Sequence, residues 1–248
     1  MQFIATAYNL LETKAGYCNT GTWSTKAIKE AKLLGEVVEV SSSKETNFNY
    51  IPKGFDIPTG LDYLHITTNN TIFGTQYKAL PESDAVLVAD SSSDIFSREL
   101  DFSKFGILYA GAQKNMGPAG TTLVVVKEDV LGKVSHQIPS MLDYKIHADK
   151  GSMFNTPPVF AVYTSLLTLE WLKEKGGIAA IEKENDAKAA LMYGEIDRNP
   201  LFDGFAATED RSTMNATFTL NAAALKERFE AMAKEAGLNG INGHRSVG

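Results

Sequence analysis

Short apolar runs typical of β-strands alternate with helix-like stretches through the first two thirds of this 248-residue chain. This alternation predicts an α/β fold, with a mainly parallel sheet layered with helices and a smaller α/β part at the C-terminal end. The predicted strands cover residues 37–40, 61–67, 85–89, 105–109 and 121–126. The last of them, 121–126, is rich in β-branched residues and is expected to be buried.

The clearest helical pattern covers residues 157–175, for which Asn155 or Thr156 is the expected cap and two prolines fill the first turn. Its apolar residues recur at helical spacing and are most simply explained as a face packed on the core. This apolar stripe consists of Phe160, Tyr163, Leu166, Leu167 and Trp171. Further helices are predicted over residues 23–34, 178–196 and 222–236.

One lysine, Lys114, lies between the last two predicted strands in a stretch of glycine, alanine and proline residues, 110–120. Small neighbours leave room for the amine to lose water, which lowers its pKa from about 10.4 and frees the lone pair that attacks an aldehyde. Lys114 is therefore the candidate Schiff-base lysine. The alternative is an ordinary solvated lysine in a glycine-rich turn.

A carboxylate, Asp90, ends the apolar run 85–89 and precedes three serines. Ligands of open α/β sheets bind beyond the carboxyl ends of the strands, where both Asp90 and Lys114 are predicted to lie. Such a carboxylate can keep a pyridine nitrogen protonated while the lysine holds an aldehyde carbon, a combination that favours pyridoxal 5'-phosphate. As an alternative, Asp90 is a turn residue bonded to its own backbone.

Several separate motifs closely resemble the phosphoserine aminotransferases, a family of class V, fold-type I pyridoxal-phosphate enzymes. They occur in the expected order and extend over essentially the whole chain. They are NNTIFG at 69–74, DSSSDIFSR at 90–98, YAGAQKN at 109–115, SMFNTPP at 152–158 and GHR at 243–245.

The resemblance implies roles for further side chains at the cofactor. Trp23 would stack on the pyridine ring, Thr71 would bond near its phenolic oxygen, and Gln113 would contact the phosphate. Asn155 and Thr156 would reach the phosphate of the neighbouring subunit's cofactor, giving a homodimer with a shared active site. The plainer alternatives are a core tryptophan, a turn threonine and two helix caps.

For the substrate, the resemblance assigns the phosphate of phosphoserine to His244 and Arg245, because a guanidinium can hold phosphate oxygens with two parallel bonds. A solvated arginine is the alternative. The implied reaction moves an amino group between L-glutamate and 3-phosphohydroxypyruvate, giving 2-oxoglutarate and O-phospho-L-serine in serine biosynthesis. The alternative functions are those of another small-substrate class V aminotransferase or of an inactive scaffold.

The family extends further at both ends, where it has a phosphate-binding glycine-rich loop and additional arginines. We therefore expect residues 1–184 to form an incomplete large cofactor-binding domain, and residues 185–248 an incomplete small domain.

A formal net charge of −6 argues against nucleic acid as a partner. No run approaches the ~18 apolar residues of a membrane span, and no signal peptide or zinc-type Cys/His spacing is present. The single cysteine, Cys18, fits a reducing compartment, so a cytoplasmic location without a metal site is expected.

Overall fold

The computed structural model describes residues 1–241, 243 and 244. Its helices are α1 Gln2–Leu10, α2 Thr22–Ala31, α3 Tyr144–Asp149, α4 Val159–Glu174, α5 Gly177–Arg198 and α6 Lys226–Glu235. Its strands are β1 Lys14–Asn19, β2 Glu36–Ser42, β3 Tyr63–Thr67, β4 Asn69–Asn70, β5 Thr75–Gln76, β6 Val86–Asp90, β7 Ile107–Gly111, β8 Thr122–Val126, β9 Phe202–Gly204 and β10 Phe218–Leu220.

A six-stranded sheet in the order β2-β1-β3-β6-β7-β8 forms the centre of the molecule. The first five strands in this order are parallel, which confirms the predicted mainly parallel α/β sheet. Strand β8 runs antiparallel to β7 at the edge of the sheet, and its side chains are partly exposed. The expectation that this strand is buried was wrong, because a β-branched composition suits an edge strand as well as a central one.

Side chains of the parallel strands alternate between two apolar layers, one on each face of the sheet. Helices α1 and α2 and the start of α3 cover one face, over a layer that includes Tyr17, Tyr63, Val88, Ile107 and Tyr109. Loop residues cover the other face, over a layer that includes Cys18, Leu64, Ile66, Leu87 and Leu108. Burial on both faces explains why these strands are almost continuously apolar.

Strand β1 was not predicted, although five of its six residues are buried. Its sequence, KAGYCN, contains no Val, Ile or Thr and therefore has a weak strand signal. Gly16 is required by packing, since a Cβ at this position would lie 2.6 Å from Leu61 Cδ1. Tertiary packing, not local propensity, makes this segment a strand.

Helix α4 begins at Val159 with Pro158 as its N-cap, and no side chain caps it. The expectation that Asn155 or Thr156 caps it was wrong, since Pro158 occupies the N-cap position. The predicted core face was also wrong, because the stripe from Phe160 to Trp171 is 45–77% exposed. Helical periodicity identifies an apolar face but does not say what covers it.

Beyond α4, helix α5 runs without interruption through residues 184 and 185, where the two predicted domains were expected to meet. Strands β9 and β10 then form a small antiparallel pair, followed by α6. The division into two domains stays a prediction. Within the described residues, no helix is long and apolar enough to span a membrane.

Candidate active site

The carboxyl ends of four neighbouring parallel strands meet at one edge of the sheet. Strands β1, β3, β6 and β7 end there at Asn19, Thr67, Asp90 and Gly111. In register, Asp90 lies opposite Thr67 on one side and Tyr109 on the other. The structure therefore places Asp90 at the strand end where its sequence position predicted it.

Asp90 is a buried carboxylate, 6% exposed. The Ser92 N–H donates to its Oδ1 at 3.0 Å, so the turn interaction considered as an alternative is present together with the strand-end position. Burial raises the pKa of the Asp90 carboxyl, while hydrogen bonding by Ser92 and the charge of Lys114 oppose that shift. Asp90 forms no ion pair among the described residues, so its charge lacks a close partner.

Lys114 follows β7 in the loop that leads to β8. Its Nζ donates to Thr71 Oγ1 at 2.5 Å, which brings together two residues that were predicted separately. Although the residue as a whole is solvent-exposed, burial around the amine lowers the pKa of Lys114. The charges of Asp90 and Asp94 act in the opposite direction. The predicted lowering of the lysine pKa is confirmed in direction.

Close backbone contacts hold the Lys114 loop. Met116 N–H and Gly117 N–H both donate to the Ala112 carbonyl, and Asn115 Nδ2 donates to the carbonyl of Ile95 at 2.8 Å. Gly117 has a φ of +147°, and a Cβ there would lie 3.2 Å from Ser165 Oγ on α4. The small residues noted in the sequence therefore allow this loop to pack closely against a helix.

Thr71 lies in the tight turn of a hairpin formed by β4 and β5. Gly74 N–H donates to the Asn70 carbonyl, and Asn70 Nδ2 donates to Thr75 Oγ1 at 2.9 Å. Gly74 has a φ of +71°, a conformation that favours glycine. The hairpin thus presents Thr71 to the lysine on a short, internally bonded turn.

A second buried carboxylate, Asp94, lies near the first and was missed by sequence reasoning. It accepts hydrogen bonds from Thr68 Oγ1 at 2.5 Å, Gln76 Nε2 at 3.3 Å and Arg98 Nη2 at 3.3 Å. Burial raises the pKa of Asp94, and these bonds and the Arg98 charge oppose the shift. The only sequence signal was a second acidic residue within the motif DSSSDIFSR.

Trp23 lies in the first turn of α2 and packs with Phe48, Ile72 and Phe73. It therefore borders the hairpin that carries Thr71. The amine of Lys26 lies over its ring, 4.5 Å from the ring centroid. The Trp23 Nε1–H is buried and has no hydrogen-bond partner among the described residues. A ring-stacking role remains a prediction.

Gln113 directly precedes Lys114 and is exposed. Its side chain folds over Gly111, where a Cβ would lie 2.4 Å from Gln113 Oε1. Asn155 and Thr156 are also exposed, and Asn155 Nδ2 donates to the neighbouring Thr156 carbonyl at 3.3 Å. The phosphate contacts assigned to these three residues remain predictions.

The predicted substrate residues lie near the end of the described chain. His244 is exposed, and Arg245 lies outside the described residues. Their assignment to a substrate phosphate stays a prediction.

Known proteins resemble this chain over almost its whole length. A profile of the class V aminotransferases matches residues 14–247. A phosphoserine aminotransferase from Flavobacterium johnsoniae is 63% identical over 99% of this chain and 70% of its own length. A solved phosphoserine aminotransferase studied for radiation damage of its Schiff base is 48% identical, with a TM-score of 0.96 over 100% of this chain and 70% of its own. Pyridoxal-phosphate-bound phosphoserine aminotransferase from Trichomonas vaginalis is 33% identical, with a TM-score of 0.92 and coverage of 100% and 72%.

The chain therefore belongs to the class V aminotransferases, which depend on pyridoxal 5'-phosphate and share the fold-type I architecture. The site fits this cofactor, because Asp90 is buried without a cationic partner among the residues that the structure describes, and the Lys114 amine is partly desolvated. A protonated pyridine nitrogen would supply the charge that Asp90 lacks. Within the class, the identity and the shared length place the chain among the phosphoserine aminotransferases.

Proposed function

We propose that this chain transfers an amino group between L-glutamate and 3-phosphohydroxypyruvate, giving 2-oxoglutarate and O-phospho-L-serine. The single observation that carries the proposal is that Asp90 ends β6 and Lys114 follows the adjacent strand β7, near enough for the charge of each to act on the pKa of the other. The same reaction is implied by the name of the 63%-identical relative. When bound, pyridoxal 5'-phosphate supplies a carbonyl carbon and an electron-withdrawing ring.

Asp90 is proposed to hold the ring nitrogen in its protonated form. A carboxylate accepts a hydrogen bond most strongly from a charged donor, and burial strengthens that attraction. The Ser92 N–H fixes the orientation of the carboxylate through Oδ1. Trp23 is proposed to cover the face of the ring, since a flat aromatic surface makes contact without competing for the proton.

Lys114 is proposed to hold the cofactor covalently and then to move a proton. Its lowered pKa leaves a larger share of the amine unprotonated at neutral pH. Nζ could then accept the proton of the substrate α-carbon and donate it to an adjacent carbon of the bound cofactor. Thr71 Oγ1 accepts a hydrogen bond from this amine and thereby directs it. Gln113 is proposed to contact the cofactor phosphate.

A second copy of the chain completes the proposed site. Asn155 and Thr156 are exposed directly before α4, whose apolar stripe is also exposed. A homodimer formed through this stripe would cover it and bring Asn155 and Thr156 to the phosphate of the neighbouring cofactor. His244 and Arg245 are proposed to bind the phosphate of the substrate, and the protein to act in the cytoplasm.

The proposal is tested by incubating the purified chain with pyridoxal 5'-phosphate, L-glutamate and 3-phosphohydroxypyruvate, and measuring both products. Borohydride reduction followed by peptide mass spectrometry should place the pyridoxyl group on Lys114. Lys114→Ala should abolish both the attachment and amino transfer, whereas Lys127→Ala, at an exposed lysine just after β8, should change neither.

Attachment to another lysine would refute the role assigned to Lys114. A substrate series separates the proposed activity from that of other class V aminotransferases. O-phospho-L-serine should be preferred over L-serine, L-alanine and L-aspartate as amino donor in the reverse direction. Equal use of the unphosphorylated donors would refute the proposed substrate, while absence of transfer from every donor would indicate an inactive scaffold.

A further inference from the structure

The proposed mechanism uses the tip of the β4–β5 hairpin but not its base. At the base, Asn69 and Gln76 are directly opposed in the antiparallel pair. Their side chains are 1% and 0% exposed, so both amides are removed from solvent. A buried amide has to find partners for its N–H groups and its carbonyl oxygen within the protein.

Asn69 connects two segments that are far apart in the sequence. Its Nδ2 donates to Ser93 Oγ at 2.8 Å and to Asn215 Oδ1 at 2.9 Å. Its Oδ1 accepts a hydrogen bond from Ser212 Oγ at 2.5 Å, and its backbone carbonyl accepts one from Ser93 Oγ. One side chain therefore joins the turn after Asp90 to the segment 211–217.

Gln76 makes an equivalent connection from the opposite strand. Its Nε2 donates to Asp94 Oδ2 at 3.3 Å. Its Oε1 accepts hydrogen bonds from Thr213 N–H and Thr213 Oγ1, both at 3.4 Å, and from Lys78 Nζ at 2.9 Å. The two amides of a single cross-strand pair thus contact adjacent residues, 93 and 94, on one side and the segment 212–215 on the other.

Backbone contacts support the same connection. Ser212 N–H donates to the Gly74 carbonyl, and Thr217 Oγ1 donates to the Phe73 carbonyl at 3.0 Å. A Cβ on Gly74 would lie 2.3 Å from Thr217 Oγ1, so the two segments approach more closely than any side chain at position 74 would allow. The segment 211–217 therefore contacts the turn of the hairpin as well as the amides at its base, and Thr71 in the same turn contacts the Lys114 amine.

We propose that Asn69 and Gln76 are positioning residues, which fix the hairpin to the segment 211–217 and thereby hold Thr71 against Lys114. An amide suits this place because one uncharged side chain supplies two N–H donors together with a carbonyl acceptor. Under the proposed function, the hairpin couples the turn after Asp90 and the catalytic lysine to the part of the chain that continues toward His244. The catalytic purpose of this coupling rests on the proposed function, whereas the contacts that form it do not.

The test uses the cofactor-free chain and compares Asn69→Ala and Gln76→Ala with Asn9→Ala. Asn9 is a matched control, because it is also a buried asparagine, 2% exposed, that joins distant segments. Its Nδ2 donates to the carbonyls of Ala5 and Leu142, and its Oδ1 accepts from Tyr144 N–H. These contacts lie on the side of the sheet covered by α1, away from the hairpin.

Two measurements report on the two ends of the hairpin. Amide hydrogen exchange of residues 212–215 reports on its base, and the pH dependence of Lys114 acetylation, followed by peptide mass spectrometry, reports on its tip. In Asn69→Ala and Gln76→Ala we expect exchange at 212–215 to accelerate at least about tenfold, which corresponds to the loss of about 1.4 kcal/mol of local stability. The titration midpoint of Lys114 should move upward, because burial is the largest influence on its pKa, so that admitting water to the amine outweighs the loss of the hydrogen bond to Thr71. Asn9→Ala should change neither quantity.

Faster exchange at 212–215 with an unchanged Lys114 titration would overturn the proposal, because the base would then be structural only. The same changes in Asn9→Ala would overturn it too, since they would reflect general destabilisation. If Asn69→Ala does not fold, Ser93→Ala removes two contacts of Asn69 without removing an acceptor of the amides 212–215, and it is expected to give the same two changes. Neither measurement needs the cofactor, so a chain that fails to transaminate refutes the proposed function without affecting this result.

Discussion

The amine of Lys114 donates a hydrogen bond to Thr71 Oγ1 at 2.5 Å, although 43 residues separate the two in the sequence. This bond favours the charged amine, whereas burial, the largest influence on the pKa of Lys114, favours the neutral amine. The lysine is therefore held between opposing effects. The charges of Asp90 and Asp94 also favour the charged amine.

Replacing Thr71 with valine preserves the shape of the side chain but removes the acceptor. We expect the pKa of the Lys114 amine in the cofactor-free chain to fall further, measured by the pH dependence of acetylation. Thr71→Ser, which keeps the hydroxyl, should restore the wild-type titration. An upward shift in Thr71→Val would show that the hydrogen bond does not stabilise the charged form.

Asp90→Asn should reduce turnover roughly a hundredfold, since a charged hydrogen bond in a partly dry site is worth about 1.5–3 kcal/mol and about 1.4 kcal/mol changes a rate tenfold. The fold should survive. Burial raises the pKa of Asp90 in the folded chain, so ionisation of this carboxyl costs stability as pH rises above about 3.9. Asp90→Asn should therefore unfold at the same or a higher temperature than wild type at pH 7.

Asp101→Asn provides the matched control for Asp90→Asn. Asp101 Oδ1 accepts the N–H of Ser103 at 3.0 Å, the same two-residue turn interaction that Asp90 makes with Ser92, but at an exposed position. Its turnover should equal that of the wild type. If both variants keep normal turnover, Asp90 acts only as a turn residue.

His65 should make the fold sensitive to acid. Its ring is buried between Tyr17, stacked at a centroid distance of 4.9 Å, and Tyr109, whose hydroxyl lies 2.8 Å from Nε2. Burial lowers the pKa of His65 to about 3. Because the unfolded chain binds the proton more readily, stability present above pH ~6.5 is lost as pH falls toward 3, by up to about 1.4 kcal/mol per pH unit.

In His65→Gln, which keeps a hydrogen-bonding group near Tyr109, this part of the acid sensitivity should disappear. Urea unfolding at a series of pH values between 7 and 4 measures it. The free energy of unfolding should fall less steeply in the variant than in wild type. Parallel curves would show that His65 is not the group that takes up the proton on unfolding.

The exposed stripe of α4 should control assembly. Tyr163 and Leu166 are 57% and 51% exposed, and burying an apolar side chain contributes about 1.5–3 kcal/mol. Tyr163→Asp with Leu166→Asp should weaken a homodimer at least about a hundredfold and give the mass of a single chain in sedimentation equilibrium. Leu33→Asp, at a 72% exposed leucine after α2, should leave assembly unchanged. A monomeric wild-type chain would refute the proposed dimer.

The sheet and the positions of Asp90 and Lys114 could be predicted because they depend on local patterns. An apolar run followed by a polar residue indicates a strand end, and small residues around a lysine indicate close packing. Asp94 and Gln76 could not be found in this way, because they form hydrogen bonds with residues that are distant in the sequence, such as Thr68 and Thr213. Strand β1 lacked β-branched residues and was recognisable only from its place in the sheet. The apolar residues of α4 recur at the helical spacing that was predicted, but this spacing does not show which surface covers them.

The partners of the hairpin base have a consequence for how the chain acquires its structure. Ser212 and Thr213 follow Asn69 and Gln76 by 143 and 137 residues. During synthesis the hairpin strands leave the ribosome long before these partners exist, and their amides remain hydrated until then. Such long-range contacts close late, at the largest entropic cost. The surroundings of the lysine are therefore completed only after residues 212 and 213 have been made.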